Sequence, residues 1–135
     1  MLSHDENLLF EVKRMQKKAV LIIAHGSKVK ETNDIMVAYM AALKKREPEV
    51  LFSSCYLQLM APSLDEAIDA LYKEGVRDIK AFPFFLFNGN HIKEDIPMEL
   101  DAIRKKYTDL HIDFLTNIGF DEKLVDVILE RVMPL

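Results

Sequence analysis

Four short apolar runs alternate with four amphipathic stretches along this chain, and this alternation limits the possible folds more than any other feature. The runs lie at 19–24, about 50–58, 78–84 and 111–115. Short apolar runs separated by helical patterns are typical of parallel strands that are buried on both faces. The pattern therefore predicts a three-layer α/β/α domain with a four-stranded parallel sheet and helices on both of its faces.

The stretches between the runs have the spacing of amphipathic helices. One helix is expected over about 31–45, where apolar residues recur every three or four positions. Another is expected after Ser63 and Glu66, which form an S-x-x-E capping box. Gly75 follows the apolar face of that second helix and predicts its end.

The remaining segments predict a loop, two further helices and an extension. Residues 85–95 are expected to form a functional loop, and a helix is expected to begin near Pro97, since proline fits a first helical turn. A closing helix is expected after Gly119. Residues 1–17 are interpreted as an N-terminal extension of helical character, and residues 18–135 as a single domain.

Composition excludes several classes of protein. The chain has 135 residues, half of them hydrophobic, which suffices for one domain with its own core. A net charge of −4 argues against nucleic-acid binding, and no apolar stretch approaches the roughly 20 residues of a membrane span. A single cysteine, Cys55, and no signal-peptide pattern predict a cytoplasmic protein. The four glycines are too far apart for a nucleotide-binding loop, so no nucleotide cofactor is expected.

Two of the four histidines are predicted to meet at one edge of the sheet. Ligands of open parallel sheets bind beyond the carboxyl ends of the strands, where the strand order reverses. If the order is 2-1-3-4, the loops that carry His25 and His91 are neighbours, and two imidazoles there can share an exchangeable divalent metal. Taken singly, His25 also fits a hydrogen-bonded histidine at the start of a loop, and His91 is more typical of a surface loop residue. His4 and His111 are expected to lie outside any site.

Other residues near the two histidines suit a ligand site. Gly26 permits a tight turn, and Ser27 is expected to cap the next helix, whose free amides favour anions. Met60 is a candidate for a pocket wall, and the phenylalanines around the third strand offer apolar surface. Three lysines flank the histidines, either as a cationic rim or as ordinary solvated side chains: Lys28, Lys30 and Lys93.

Three motifs in order resemble those of a known family. They are a strand ending in His25-Gly26-Ser27, then Pro62-Ser63-Leu64-x-Glu66-Ala67-Ile68, then Phe85-Leu86-x-x-Gly89-x-His91-x-x-x-Asp95-Ile96-Pro97. With them, residues 18–132 are similar to the CbiX-like sirohydrochlorin cobaltochelatases, in their small, single-domain form. The third motif is the most specific of the three.

The resemblance implies a chelatase-like fold and a lyase that inserts a divalent metal into sirohydrochlorin without ATP. Co²⁺ is the expected metal substrate, with Fe²⁺ and Ni²⁺ as alternatives. The resemblance further implies a homodimer, in which the histidines matching His25 and His91 bind metal and help to remove pyrrole protons. Substrate contacts are expected at these positions: Gly26, Ser27, Lys28, Gln58, Met60, Phe85, Gly89 and Asn90.

The sequence departs from the family pattern at three positions. Lys28 stands where family members commonly have arginine, Gln58 where they often have glutamate, and Ala61 where another acidic residue is usual. A neutral amide neither offsets the charge of a metal nor accepts a proton as a carboxylate does. A non-catalytic carrier or sensor of metal or tetrapyrrole is therefore the main alternative. A phosphate- or anion-binding domain that uses the helix start after Ser27 is the third interpretation.

Overall fold

Four parallel strands form one sheet in the order β2-β1-β3-β4, which confirms the predicted topology. The structure is a computed structural model, and it describes residues 3–7 and 17–135, apart from the side chains of Asn90 and His91. The elements are β1 (Lys17–Ala24), α1 (Lys30–Arg46), β2 (Leu51–Tyr56), α2 (Leu64–Lys73), β3 (Val76–Pro83), α3 (Asn90–Lys106), β4 (His111–Phe114) and α4 (Glu122–Val132).

The sheet has an apolar cluster on each face. Successive strand residues point to opposite faces, so Leu21 and Ile23 of β1 belong to the larger cluster, with helices α2 and α3. Ile22 lies on the other face, where it packs with Met36 of α1. Helices on both faces confirm the layered architecture. Cys55 is fully buried in the larger cluster, as a small apolar residue would be.

Helix α2 begins as its sequence predicts. The Ser63 hydroxyl accepts a hydrogen bond from the Glu66 amide at 3.2 Å, and the Glu66 carboxylate accepts one from the Ser63 amide at 3.1 Å. This reciprocal capping box satisfies two amides that the helix leaves unpaired. Ile68 and Leu71 then face the core, and the chain turns away at Gly75.

The predicted start of α3 is wrong. The helix begins at Asn90 rather than near Pro97, so Pro97 lies inside it and residues 90–95 are helical rather than loop. Proline inside a helix removes one backbone hydrogen bond, which normally disfavours that position. Here Ile96 and Leu100, on either side of Pro97, are both buried in the larger cluster, and this packing offsets the loss.

The predicted cap of α1 is also wrong. The helix begins at Lys30 with Val29 as its N-cap, and no side chain caps it. The Ser27 hydroxyl instead accepts a hydrogen bond from the Val29 amide at 3.1 Å and pairs with the Thr32 hydroxyl. Serine side chains often bond to the backbone two residues on, which stabilises a turn rather than a helix start.

The two ends of the chain were predicted to be helical, with different outcomes. At the N-terminus, residues 4–7 form one helical turn, and the rest of the predicted helix, 8–16, lies outside the described residues. At the C-terminus, α4 forms from the predicted pattern of Leu124, Ile128 and Val132. However, none of the α4 residues, all of them described, is buried.

The segment after β2 and the end of β1 pack closely together at the carboxyl edge of the sheet. The Leu57 amide donates to the Ala24 carbonyl at 2.9 Å, and the Gln58 amide donates to the His25 carbonyl at 3.1 Å. The chain after β2 therefore runs alongside the end of β1. Gly26 has a φ of +89°, and a Cβ on it would lie 2.0 Å from the Gln58 carbonyl oxygen. Only glycine allows this close approach.

We expect Gly26→Ala to destabilise the fold more than Gly75→Ala. Gly75 has a similar φ of +96° but open space around a Cβ, so it isolates the cost of the backbone conformation, about 1–2 kcal/mol. At Gly26 the steric clash adds about 1–3 kcal/mol. Urea unfolding of both variants, followed by circular dichroism, measures the difference. Equal losses at the two positions would contradict the close approach.

Candidate functional site

The loops after β1 and β3 lie side by side, as the strand order predicts. β1 pairs with β3 in parallel, and the Phe84 amide donates to the Ile23 carbonyl at 2.7 Å where the two strands end. His25 directly follows β1, and His91 lies in the first turn of α3. Parallel pairing thus brings both histidine-bearing segments to the same edge of the sheet.

His25 is an exposed imidazole with an aromatic wall behind it. Its ring centroid lies 4.5 Å from that of Phe85, with the two planes tilted by 37°. Phe85 is only 8% exposed, so its ring supports His25 and belongs to the core. The structure therefore places Phe85 behind the histidine rather than as an open face for a ligand.

A cavity of about 280 Å³ opens beside His25. Its wall combines one imidazole, one amide, two carboxylates and three apolar side chains: His25, Leu57, Gln58, Ile92, Asp95, Ile96 and Glu99. The cavity thus brings together two of the predicted site residues, His25 and Gln58. Met60 is not part of this wall, because it packs against the smaller apolar cluster around Met36.

The wall of this cavity carries negative charge, and Glu99 is partly buried in it. Burial raises the pKa of Glu99 above its usual range, and the negative charges of Asp65 and Asp95 raise it further. Burial raises the pKa of the neighbouring Cys55 thiol to about 12, with a smaller contribution from the charge of Glu99. Among the described side chains, which do not include that of His91, neither Asp95 nor Glu99 has a hydrogen-bond or ion-pair partner.

Asn117, which sequence reasoning missed, holds the segment that leads to His91. Its side-chain amide donates to the carbonyls of Phe85 at 3.3 Å and Leu86 at 2.8 Å, and its oxygen accepts from the Asn88 amide at 3.0 Å. Asn117 follows β4, about 30 positions away in the chain, so no local pattern links it to this loop. Asn117 follows β4, the neighbour of β3 in the sheet, and this position is the one sequence signal that places it near the loop after β3.

None of the other predicted contacts with a described side chain lines the cavity wall. Lys28, Lys30 and Lys93 are exposed, and each follows closely after a site segment. Gly89 is the N-cap of α3, and a Cβ there would meet open space, so sterics do not require glycine. The side chains of Asn90 and His91 lie outside the described part of the chain.

The described side chains do not form a closed metal cage. Among them, no three histidine, cysteine, aspartate or glutamate side chains lie close enough to hold one ion. Within the same described residues, no helix is long and apolar enough to cross a membrane.

Comparison with known proteins gives a consistent family. The sequence model of the CbiX family matches residues 19–135. A sirohydrochlorin cobaltochelatase of Sulfurisphaera tokodaii is 34% identical over 113 residues, which are 84% of this chain and 89% of that protein. A sirohydrochlorin ferrochelatase of Priestia megaterium is 32% identical over 114 residues, which are 84% of this chain but 43% of that protein.

A solved structure shares the fold. The sirohydrochlorin chelatase SirB from Bacillus subtilis subspecies spizizenii, in complex with cobalt, matches with a TM-score of 0.78 at 28% identity, over 86% of this chain and 50% of that one. The chain thus spans half or less of the length of its Bacillus and Priestia relatives. The match over residues 19–135, together with the cobaltochelatase relative, establishes that this chain belongs to the CbiX family.

Proposed function

We propose that this protein is a chelatase that inserts a divalent metal ion, with Co²⁺ as the leading substrate, into sirohydrochlorin. The observation that carries the proposal is His25, an exposed imidazole at the mouth of an acidic cavity in a CbiX-family chain. Relatives include one named for cobalt and one named for iron, so Fe²⁺ is the second candidate metal. His25 and His91 are the proposed metal ligands.

The chemistry requires a metal ligand and a base at the same place. Insertion forms bonds from the metal to the pyrrole nitrogens and releases two N–H protons, so the net reaction yields two protons for each metal ion. A neutral imidazole serves as a ligand or accepts a proton near neutral pH. Two histidine-bearing segments at one edge of the sheet satisfy that requirement.

The carboxylates of the macrocycle require positive charge around the cavity. Lys28 and Lys30 follow the Gly26 turn, and Lys93 follows Ile92, which lines the cavity. All three lysines are exposed and remain free to reach a bound macrocycle. Lysine supplies charge at such a rim but lacks the planar fork with which arginine holds a carboxylate.

The size of the cavity indicates that a single chain provides only part of the site. At about 280 Å³ it falls below the roughly 300–1,000 Å³ that encloses a drug-sized ligand. A tetrapyrrole therefore lies across the mouth with its centre over His25, and its other face needs a second wall. We propose that a second copy of the chain supplies that wall.

The apolar surface of α4 is the proposed dimer interface. Phe87 and Phe120 are each 80% exposed, and Ile128 is 60% exposed. These three residues, with their neighbours on α4, line an open groove of about 680 Å³. Exposed apolar surface of this kind marks interaction sites, and a two-fold axis lets one such patch cover its own copy. Leu86 also lines this groove, and it directly follows Phe85, whose ring packs against His25.

We expect Ile128→Lys to convert the dimer to a monomer, because a charge in an apolar contact lacks a partner. Ile35→Lys is the matched control, since Ile35 is 55% exposed on α1, away from the groove. Size-exclusion chromatography with light scattering measures the mass of each variant. A monomeric wild-type chain, or dimers that persist in Ile128→Lys, would contradict this interface.

We expect the protein to accelerate metal insertion, and His25→Ala and His91→Ala to lower the rate by about 10²–10⁴-fold, the usual contribution of an acid–base group. The assay follows the visible absorption of sirohydrochlorin with Co²⁺ or Fe²⁺ under anaerobic conditions. His111→Ala is the control, because His111 begins β4, at the opposite end of that strand from the cavity edge. Full activity in both alanine variants would rule out the assigned site.

Gln58 favours the second candidate function, a carrier or sensor that binds metal or tetrapyrrole without inserting it. It lines the cavity beside His25 with a neutral amide. Saturable binding without turnover above the uncatalysed rate supports this alternative and rejects the enzyme. The predicted cytoplasmic location is part of the proposal under either function and rests on cysteine usage.

A further inference from the structure

Helix α3 places a carboxylate in the cavity wall that lies outside the family motif. This carboxylate belongs to Glu99, two residues after the motif ends at Pro97. Ile92, Asp95, Ile96 and Glu99 follow the spacing i, i+3, i+4 and i+7, which places all four on one side of the helix. All four line the cavity beside His25. Asp95 belongs to the recognised motif, whereas Glu99 lies beyond it.

Glu99 has no structural partner that explains its position. Within the described part of the chain, it accepts no hydrogen bond and forms no ion pair. Among the described side chains, the charged groups that act on it are Asp65 from α2 and Asp95 from α3, and both are negative. Cys55 from β2 is its other titratable neighbour, and His25 shares the cavity. A half-buried carboxylate among like charges costs stability, which points to a functional role.

Because the side chain of Gln58 is neutral, the loop after β2 supplies no proton acceptor to this cavity. Metal insertion releases two protons, and an imidazole that binds the metal through its lone pair has no free lone pair there for a proton. An amide does not accept a proton at neutral pH. Among the side chains of the cavity wall, the groups that remain as proton acceptors are the two carboxylates of α3, Asp95 and Glu99.

We infer that Glu99 is a proton acceptor for metal insertion and supplies the carboxylate that the loop after β2 lacks at Gln58. This inference rests on the proposed function. In the step, a carboxylate oxygen of Glu99 takes the proton of one pyrrole N–H, and the electron pair of that bond remains on the nitrogen and binds the metal. Glu99 then releases the proton to water at the cavity mouth, and the second N–H proton passes to another base or to water.

The raised pKa of Glu99 suits this role. A carboxyl group with an ordinary pKa holds a proton weakly at neutral pH, whereas one with a raised pKa is a stronger base and still releases the proton to solvent. The raised pKa of Glu99 also affects the stability of the fold. Because the folded state raises this pKa, the ionised group destabilises the fold above that pKa, so a neutral replacement at pH 7 does not lower the melting temperature.

The test compares Glu99→Gln with Glu94→Gln in the full-length protein. Glu94 lies on the same helix but is exposed and outside the cavity wall, so it controls for the loss of one negative charge. We expect Glu99→Gln to lower kcat for sirohydrochlorin metallation by about 10²-fold, the lower end of the usual contribution of an acid–base group, with little change in KM. Glu99→Asp should retain part of the rate, and Glu94→Gln should match the wild type.

The pH profile separates a proton acceptor from a merely structural residue. On the acidic side, the slope of log kcat against pH should fall by one in Glu99→Gln, because one required deprotonation is lost. The melting temperature of this variant at pH 7 should equal or exceed that of the wild type. An unchanged kcat or slope in Glu99→Gln, with an active wild type, overturns the inference alone. An inactive wild type overturns the proposed function and the role of Glu99 with it.

Discussion

The parallel pairing of β1 with both β2 and β3 is the constraint on which the site depends. Parallel strands end at the same edge, so the three segments that follow them must share the space beyond that edge. At Gly26 they approach so closely that a single Cβ does not fit against the Gln58 backbone. His25, Gln58 and the start of α3 therefore take their positions from the sheet order and from one glycine, before any ligand is considered.

Local signals in the sequence were sufficient for the architecture, whereas the contents of the cavity depend on distant residues. The capping box at Ser63 and the alternation of strands and helices each lie within a short window, and both predictions are confirmed. The start of α3 was missed because the burial of Ile96 and Leu100 outweighs the local preference of Pro97. Asn117 was missed because only tertiary structure brings it to the loop after β3.

The apolar faces of α2 and α3 are buried within the chain, whereas that of α4 is exposed. Helices α2 and α3 bury their apolar faces against the sheet, so their patterns are explained within one chain. The pattern of α4 is as regular, but its apolar residues remain exposed beside Phe87 and Phe120. A sequence pattern predicts an apolar helix face but does not identify the molecule that covers it. The dimer proposed for the tetrapyrrole site gives the α4 face a partner and uses no additional assumption.

The charges around the cavity are separated in a way that suits two substrates of opposite sign. Lys28, Lys30 and Lys93 are exposed and lie outside the cavity wall, whereas Asp95 and Glu99 are part of that wall. In the proposed reaction, the lysines attract a macrocycle that bears carboxylates, and the carboxylates of the wall attract a divalent cation. His25 lines the same cavity as these two carboxylates. With Gln58 neutral, the negative side of this arrangement depends on helix α3 rather than on the loop after β2.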